Sequence, residues 1–485
     1  MAATLALCVV VWRRLLPLGI PGEWVWRYDT FPEPQRLAIA ALCFGCAVYL
    51  GFSIWRLVRR GRRGAGLVLA ALLGTGLLTR MGVIALTPHW AVGAAQVLLS
   101  EVATSYYGEA SKVDDLRAYV RAYPQAMRAL PYHLQTHPPG AVTVMWLLRR
   151  ATDQFPLFAR NVAGMAFYAP PQGVTAVLAR ALGKPDLTTA EVVGAFWVAV
   201  FLAAAGWLTC LAVYALAARL FDEETALLAG LTFGLVPSVL VFMPTLDQAV
   251  MLVGALALVA LVWAMQRGGG EALLLPGLVV GAGGLVTFGI LVLDVVAGLA
   301  VVLRRSHIRG PRWVWRALVD VVALALGTAL PALALYALTG CDLVAVFRNA
   351  TAAHHRVVTE WWSRAYSHWV AGNLVDFGVM LGLPVCLLAL AAARRAWRGV
   401  GEDEATAPAL VAAFGLALLV LDLSGATRAE VARIWLFLTP VPVVLGARGL
   451  AMEGSARRWV VGLLLACQGL QAMVMEAGAR FVTPY

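Results

Sequence analysis

The strongest constraint on this chain is a rhythm in its sequence. Apolar runs of about twenty residues, the length that crosses a bilayer, recur along its 485 residues and are separated by short arginine-bearing loops. Within hydrocarbon every backbone N–H and C=O must find a partner inside its own segment, which leaves helices as the natural solution for such runs. Charged residues make up only 13% of the chain and hydrophobic ones 61%, whereas soluble domains carry about 25% charged residues. The expectation is an all-α, polytopic membrane protein with about 12–13 transmembrane helices. The net charge of +11 does not indicate nucleic acid, because the basic residues sit between spans and form no basic helix or aromatic-interleaved groove.

Loop charge orients the spans. The run 37–57 ends in Arg56, Arg59, Arg60, Arg62 and Arg63, a loop that the positive-inside rule puts in the cytoplasm. Span 65–87 then exits, and polar residues 88–140 lie outside, with helices in the interface. Span 188–216 returns to Arg219, and 225–242 with 247–265 forms a hairpin turning at Met243–Asp247. The Gly-rich stretch 272–304 divides into two short spans above Arg304 and Arg305. Spans 314–338 and 370–393 flank a second outer loop, 340–369, and spans 406–423, 432–449 and 458–476 complete the chain. Every strongly basic loop falls on one side. Three regions result: N-terminal membrane segments 1–64, a membrane core 65–305 and C-terminal helices 306–485. A bacterial plasma membrane is the expected location.

Residues 3–20 are apolar but interrupted by Arg13 and Arg14, and a charge at a helix centre costs about 2.5–3.5 kcal/mol on insertion scales. The segment either spans with its arginines against protein or lies in the interface; a cleaved leader would carry its charge before the apolar run. Cys43 and Cys46 form a CxxC with no second ligand pair nearby, so the pair reads as two small hydrophobes.

The first outer loop holds the chemistry-bearing residues. Glu101 is a carboxylate just past a span, placed to accept a proton from an attacking group; Glu109, Asp114 and Asp115 are rivals in a run with Lys112 and Arg117. In Thr136-His137-Pro138-Pro139-Gly140 the prolines fix an extended backbone and then start a helix, and a basic side chain at a helix start is a ready anion site. A turn with a satisfied histidine is the competing explanation for His137. In the second loop Arg356, Trp361, Trp362, Arg364 and Tyr366 combine guanidinium forks for anions with rings for sugar faces; an interfacial aromatic belt is equally compatible. His354-His355 side chains diverge on a helix, which disfavours a metal. Arg433, at the outer mouth of a late span, needs an anion, either a ligand or Glu430 or Asp422.

Ser100-Glu101 followed by Tyr106-Tyr107 and Ala110, then His137-Pro138-Pro139, then Tyr214…Arg219-Leu220-Phe221 and Met243-Pro244-Thr245-Leu246-Asp247 resemble, in order and sidedness, the GT-C membrane glycosyltransferases. The nearest branch is that of the protein O-mannosyltransferases and aminoarabinose transferases. The resemblance departs at Ser100, where the family has Asp, and at Gly140, where Leu is usual. It implies an inverting glycosyltransferase at the outer face that moves a sugar from a polyprenyl-phosphate donor to an acceptor: lipid, glycan or protein. It assigns Glu101 as general base, His137 and Arg433 as phosphate ligands, and Tyr106, Tyr107 and Asp247 as substrate contacts. It requires no cofactor and leaves a divalent metal open. A transporter or lipid flippase is the alternative, and would carry inverted repeats and paired broken helices, which the sequence lacks.

Overall fold

A computed structural model describes residues 1–61, 64–307, 312–361, 364–396, 405–452 and 458–480. These residues are almost wholly helical. Seven helices are long and apolar enough to cross a membrane: Pro34–Arg59, Ala65–Leu86, Thr189–Leu220, Asp247–Gln266, Arg312–Thr339, Thr406–Leu423 and Trp459–Gly478. An eighth span arises if the pair Tyr366–Leu381 and Leu383–Arg394, bent by 110°, counts as one. The count is below the 12–13 expected because several apolar runs are broken. The run 225–242 divides into Glu223–Phe233 and Pro237–Val241, since proline bars the residue before it from the helical region. The bend in the split pair falls on Gly382, whose φ of +100° is open to glycine alone at little cost. The run 272–304 separates, as expected, into Leu274–Gly284 and Val292–Ser306.

The basic loops meet at one end of the bundle. Glu224 accepts from Trp55 Nε1 at 3.1 Å and faces Arg59 at 4.0 Å, Arg448 pairs with Asp222 at 2.7 Å, and Gln266 donates to Arg219 O at 2.5 Å. Arg305 is buried against Asp320 at 2.6 Å and also donates to Gly268 O. Each partner of that pair satisfies the other, which a buried charge requires.

The N-terminus departs from expectation. Its helix, Ala2–Arg13, stops at Arg14 in a left-handed conformation, and Arg14 donates to Asp29 O at 2.7 Å. The arginines therefore end the helix instead of interrupting it. A hairpin of Leu18–Ile20 and Trp24–Tyr28 follows, and Tyr28 and Arg27 pair with Ala479 and Arg480. Trp24, Trp26, Trp369 and Phe242 pack as a cluster beneath it.

The first polar loop folds at the end opposite the basic loops as short helices: Trp90–Leu99, Tyr106–Ser111, Leu116–Ala126 and Gly140–Asp153. The last of these starts after Pro138-Pro139, as the sequence indicates. It docks on the break between Leu274–Gly284 and Val292–Ser306, where Gly140 N donates to Leu285 O at 3.0 Å.

Candidate active site

Four stretches far apart in sequence converge beside that docking point. The turn before Gly140 brings His133 and His137. Tyr106 arrives from the first loop, with its ring 5.4 Å from His137 and 6.3 Å from His133, edge to face in both cases. Asp247 opens the Asp247–Gln266 helix, where the macrodipole favours a carboxylate. Arg433 comes from the short helix Val431–Ile434. Asp247 and Arg433 both act electrostatically on Tyr106 and on His137, and Asp247 on Arg433.

The hydrogen bonding of His137 fixes its tautomer. Nδ1 lies 2.9 Å from His133 O, which can only accept, and 3.0 Å from Thr136 Oγ1, which can accept too, so both contacts are satisfied when Nδ1 carries the proton. Nε2 is then a lone pair as long as the ring is neutral. Burial pushes its pKa down to about 4, with the bond to His133 and the Asp247 carboxylate opposing and Arg433 and His354 assisting. Burial and the same arginine lower His133 to about 3, and its Nε2 contacts Val102 O at 3.0 Å. Tyr123 OH donates to His137 O at 3.0 Å and holds the turn from below.

Arg433 is braced. Glu430 accepts from Arg433 Nη2 at 3.3 Å and from Arg364 Nη2 at 2.8 Å. Ala429 and Glu430 both have positive φ, and this backbone is anchored: Ala429 N donates to Asn373 Oδ1 at 3.1 Å and Ala432 N to Asp376 Oδ2 at 3.2 Å. Arg364 Nη1 also donates to Arg428 O at 2.6 Å. The pairing of Arg433 with Glu430, the alternative to a ligand in the sequence, is present, and the Asp247 carboxylate acts on Arg433 electrostatically.

Glu101 directs its carboxylate to two lysines, while the neighbouring Val102 O meets His133 Nε2. Glu101 lies in a turn, not on an interfacial helix, with its side chain 45% exposed. Lys184 bonds it at 3.1 Å and Lys112 lies at 3.7 Å; the Lys184 bond is the main cause that holds its pKa below the usual carboxylate range. Several expected substrate contacts have hydrogen-bond partners within the fold. Tyr107 is fully buried, its OH donating to Glu191 O at 3.0 Å. Arg364 is 5% exposed and spent on Glu430. Tyr366 donates to Leu423 O at 2.7 Å. Arg356 is exposed at the end of Leu343–Arg356. Trp361 lies in the turn that follows, and Trp362 falls outside the described residues. Among the described residues no three His, Cys, Asp or Glu side chains gather to hold a metal.

The model of the dolichyl-phosphate-mannose-protein mannosyltransferase family matches residues 189–335, from the Thr189–Leu220 helix to within the Arg312–Thr339 helix. The chain resembles the GT-C membrane glycosyltransferases. Similar solved structures include the Archaeoglobus fulgidus oligosaccharyltransferase in its apo form, at 15% identity and TM-score 0.42, covering 82% of this chain and 57% of that one. The same organism's AglB with an inhibitory peptide and a dolichol-phosphate gives 14% and 0.40, covering 82% and 56%. Its complex with Zn and sulfate gives 16% and 0.39, covering 65% and 45%. The chain thus spans about half the length of these structures. No curated protein matches it.

Proposed function

We propose that the protein is an inverting glycosyltransferase that takes its sugar from a polyprenyl-phosphate donor at the outer face of the membrane. The observation that carries this reading is the convergence of one carboxylate, Asp247, with Arg433, His137 and Tyr106 at the end of the bundle away from the basic loops. The lipid tail would lie along the helices and the phosphate between Arg433 and His137. The acceptor oxygen attacks the anomeric carbon as the bond from that carbon to the phosphate oxygen breaks. Asp247 takes the acceptor's proton, and the phosphate leaves with one more negative charge. Arg433 faces that developing charge from a fixed position, which makes electrostatic stabilisation the larger catalytic effect.

Asp247 replaces Glu101 as the preferred base because it shares the cluster with the phosphate ligands while Glu101 is bound by Lys184. With purified protein and a labelled polyprenyl-phosphate sugar, Asp247→Asn abolishes transfer and leaves donor binding intact, whereas Glu101→Gln keeps most of the activity. The reverse pattern would return the role to Glu101. Full activity in both variants would sink the carboxylate mechanism.

A further inference from the structure

The charges of the cluster come close to cancelling before any ligand arrives. Arg433 and Arg364 are two cations; Glu430, which bridges them, and Asp247 are two anions. His137 adds none while neutral, and its geometry leaves a lone pair at Nε2, because Nδ1–H is committed to His133 O at 2.9 Å. A phosphodiester carries one negative charge and only acceptor oxygens. Set against a neutral His137, it would put an acceptor against a lone pair and add a negative charge that these four groups do not offset.

We infer that His137 binds the donor phosphate as an imidazolium, so that each donor molecule enters together with one proton taken from solvent onto Nε2. The inference rests on the donor reading above. Protonation turns Nε2 into a charged donor, and a bond of that kind is about twice as strong as a neutral one. It also offsets the added negative charge.

The groups facing His137 from neighbouring elements fit this role. Tyr106 presents a ring edge and Tyr123 bonds only the backbone carbonyl. His133 lends its carbonyl, and its Nε2 is committed to Val102 O. Asp247 favours the charged ring, while Arg433 and His354 oppose it until an anion lies between. His354 Nε2 meets Ala426 O at 2.5 Å and so is itself occupied.

The test uses the full chain and a farnesyl methyl phosphodiester, whose phosphate does not titrate near neutrality, so that any proton taken up belongs to the protein. Calorimetry in two buffers of different ionisation heat should show about one proton absorbed per probe bound. The Kd should weaken by up to about tenfold per unit rise in pH, the limiting slope for one coupled proton. His137→Gln should bind more weakly, with a flat pH profile and no uptake, and His354→Gln should keep the uptake. Tight binding that Arg433→Gln abolishes, but with no proton uptake and no pH dependence, would overturn the inference and leave the donor reading standing. Uptake that persists in His137→Gln would overturn it too. No binding by the unaltered protein would overturn both.

Discussion

Gly140 N–H donates to Leu285 O at 3.0 Å, and a Cβ at this position would fall inside contact distance of that same carbonyl. The obstacle is backbone, so it cannot swing aside as a flexible side chain could. This gives a physical reason for glycine at this position: the His-Pro-Pro turn seats directly on the helix break. Gly140→Ala should destabilise the protein by about 1–3 kcal/mol, the usual cost of overpacking, and should lower transfer because His137 moves with the turn. Thermal unfolding and activity assays on the same preparation check both. At this scale the sequence told part of the truth. It identified His137 and Arg433 from charge next to helix starts and span mouths, and these do come together. It named Glu101 as the base from its place past a span and from the resemblance to an acidic motif, and Asp247 only as a substrate contact. Which carboxylate meets the cations depends on how the Asp247–Gln266 helix lies against the first loop, and that depends on packing between segments more than a hundred residues apart. Tyr107 misled for the same reason, since its hydroxyl reaches Glu191 O across a packed helix.

The segment from Ser424 to Arg433 works as a rigid bracket. Asn373 ties it to the bent pair by bonds to Asp422 Oδ1 and Thr427 O at 3.0 and 2.9 Å, and Asp376 also accepts from Trp26 Nε1 of the N-terminal hairpin at 3.0 Å. Glu23 in that hairpin accepts from Trp369 Nε1 and from Ala365 N, next to Arg364. Arg433 is thus aimed by elements from both ends of the chain, with Glu430 as the link. Glu430→Ala leaves two buried guanidiniums without their shared anion, a loss of about 3–5 kcal/mol for a buried pair. Glu430→Gln keeps hydrogen-bonding capacity toward Arg364 or Arg433 and should recover much of that stability. Its expected signature is a donor KM that rises while the acceptor KM stays put, which steady-state kinetics would show; a purely structural role would lower kcat alone in proportion to folded protein. Spans closed by basic loops were legible because one periodicity and one charge rule define them. The breaks at Pro237 and Gly382 were harder to read, since their surroundings are as apolar as an intact span. The small sheet was invisible, because Leu18–Ile20 has its place only through contact with Trp24–Tyr28, and Trp24–Tyr28 in turn with Ala479–Arg480.

At the scale of the whole molecule, two buried histidines make acid a destabilising influence. Burial holds His137 at about 4 and His133 at about 3, against 6.5 for the free side chain. At these two sites the unfolded chain therefore binds more protons than the folded one below about pH 6.5, and their share of the stability falls as pH falls. The contribution is intact above 6.5 and is lost progressively toward the folded values, at about 1.4 kcal/mol for each pH unit of that interval when the ring is fully enclosed. His137 keeps some solvent-accessible surface, so its share is the smaller. Two loop carboxylates held down by their hydrogen-bond partners act in the same direction but lower on the scale. Glu23 is pulled up by burial yet held below its usual value by bonds from His368, Ala365 N and Trp369, and Glu101 is held down chiefly by Lys184; both lose their contribution only below about pH 4.5. Between pH 6.5 and 4.5 the share of His137 is the part that a substitution isolates. Unfolding followed by intrinsic fluorescence should show the midpoint of His137→Gln falling less across that window than that of the unaltered protein. A bound phosphodiester should act the other way, because it holds His137 charged in the folded state and so removes the excess proton uptake on unfolding. If His137→Gln leaves the pH profile of the midpoint unchanged, His137 is not buried neutral, and the charge balance of the site has to be redrawn.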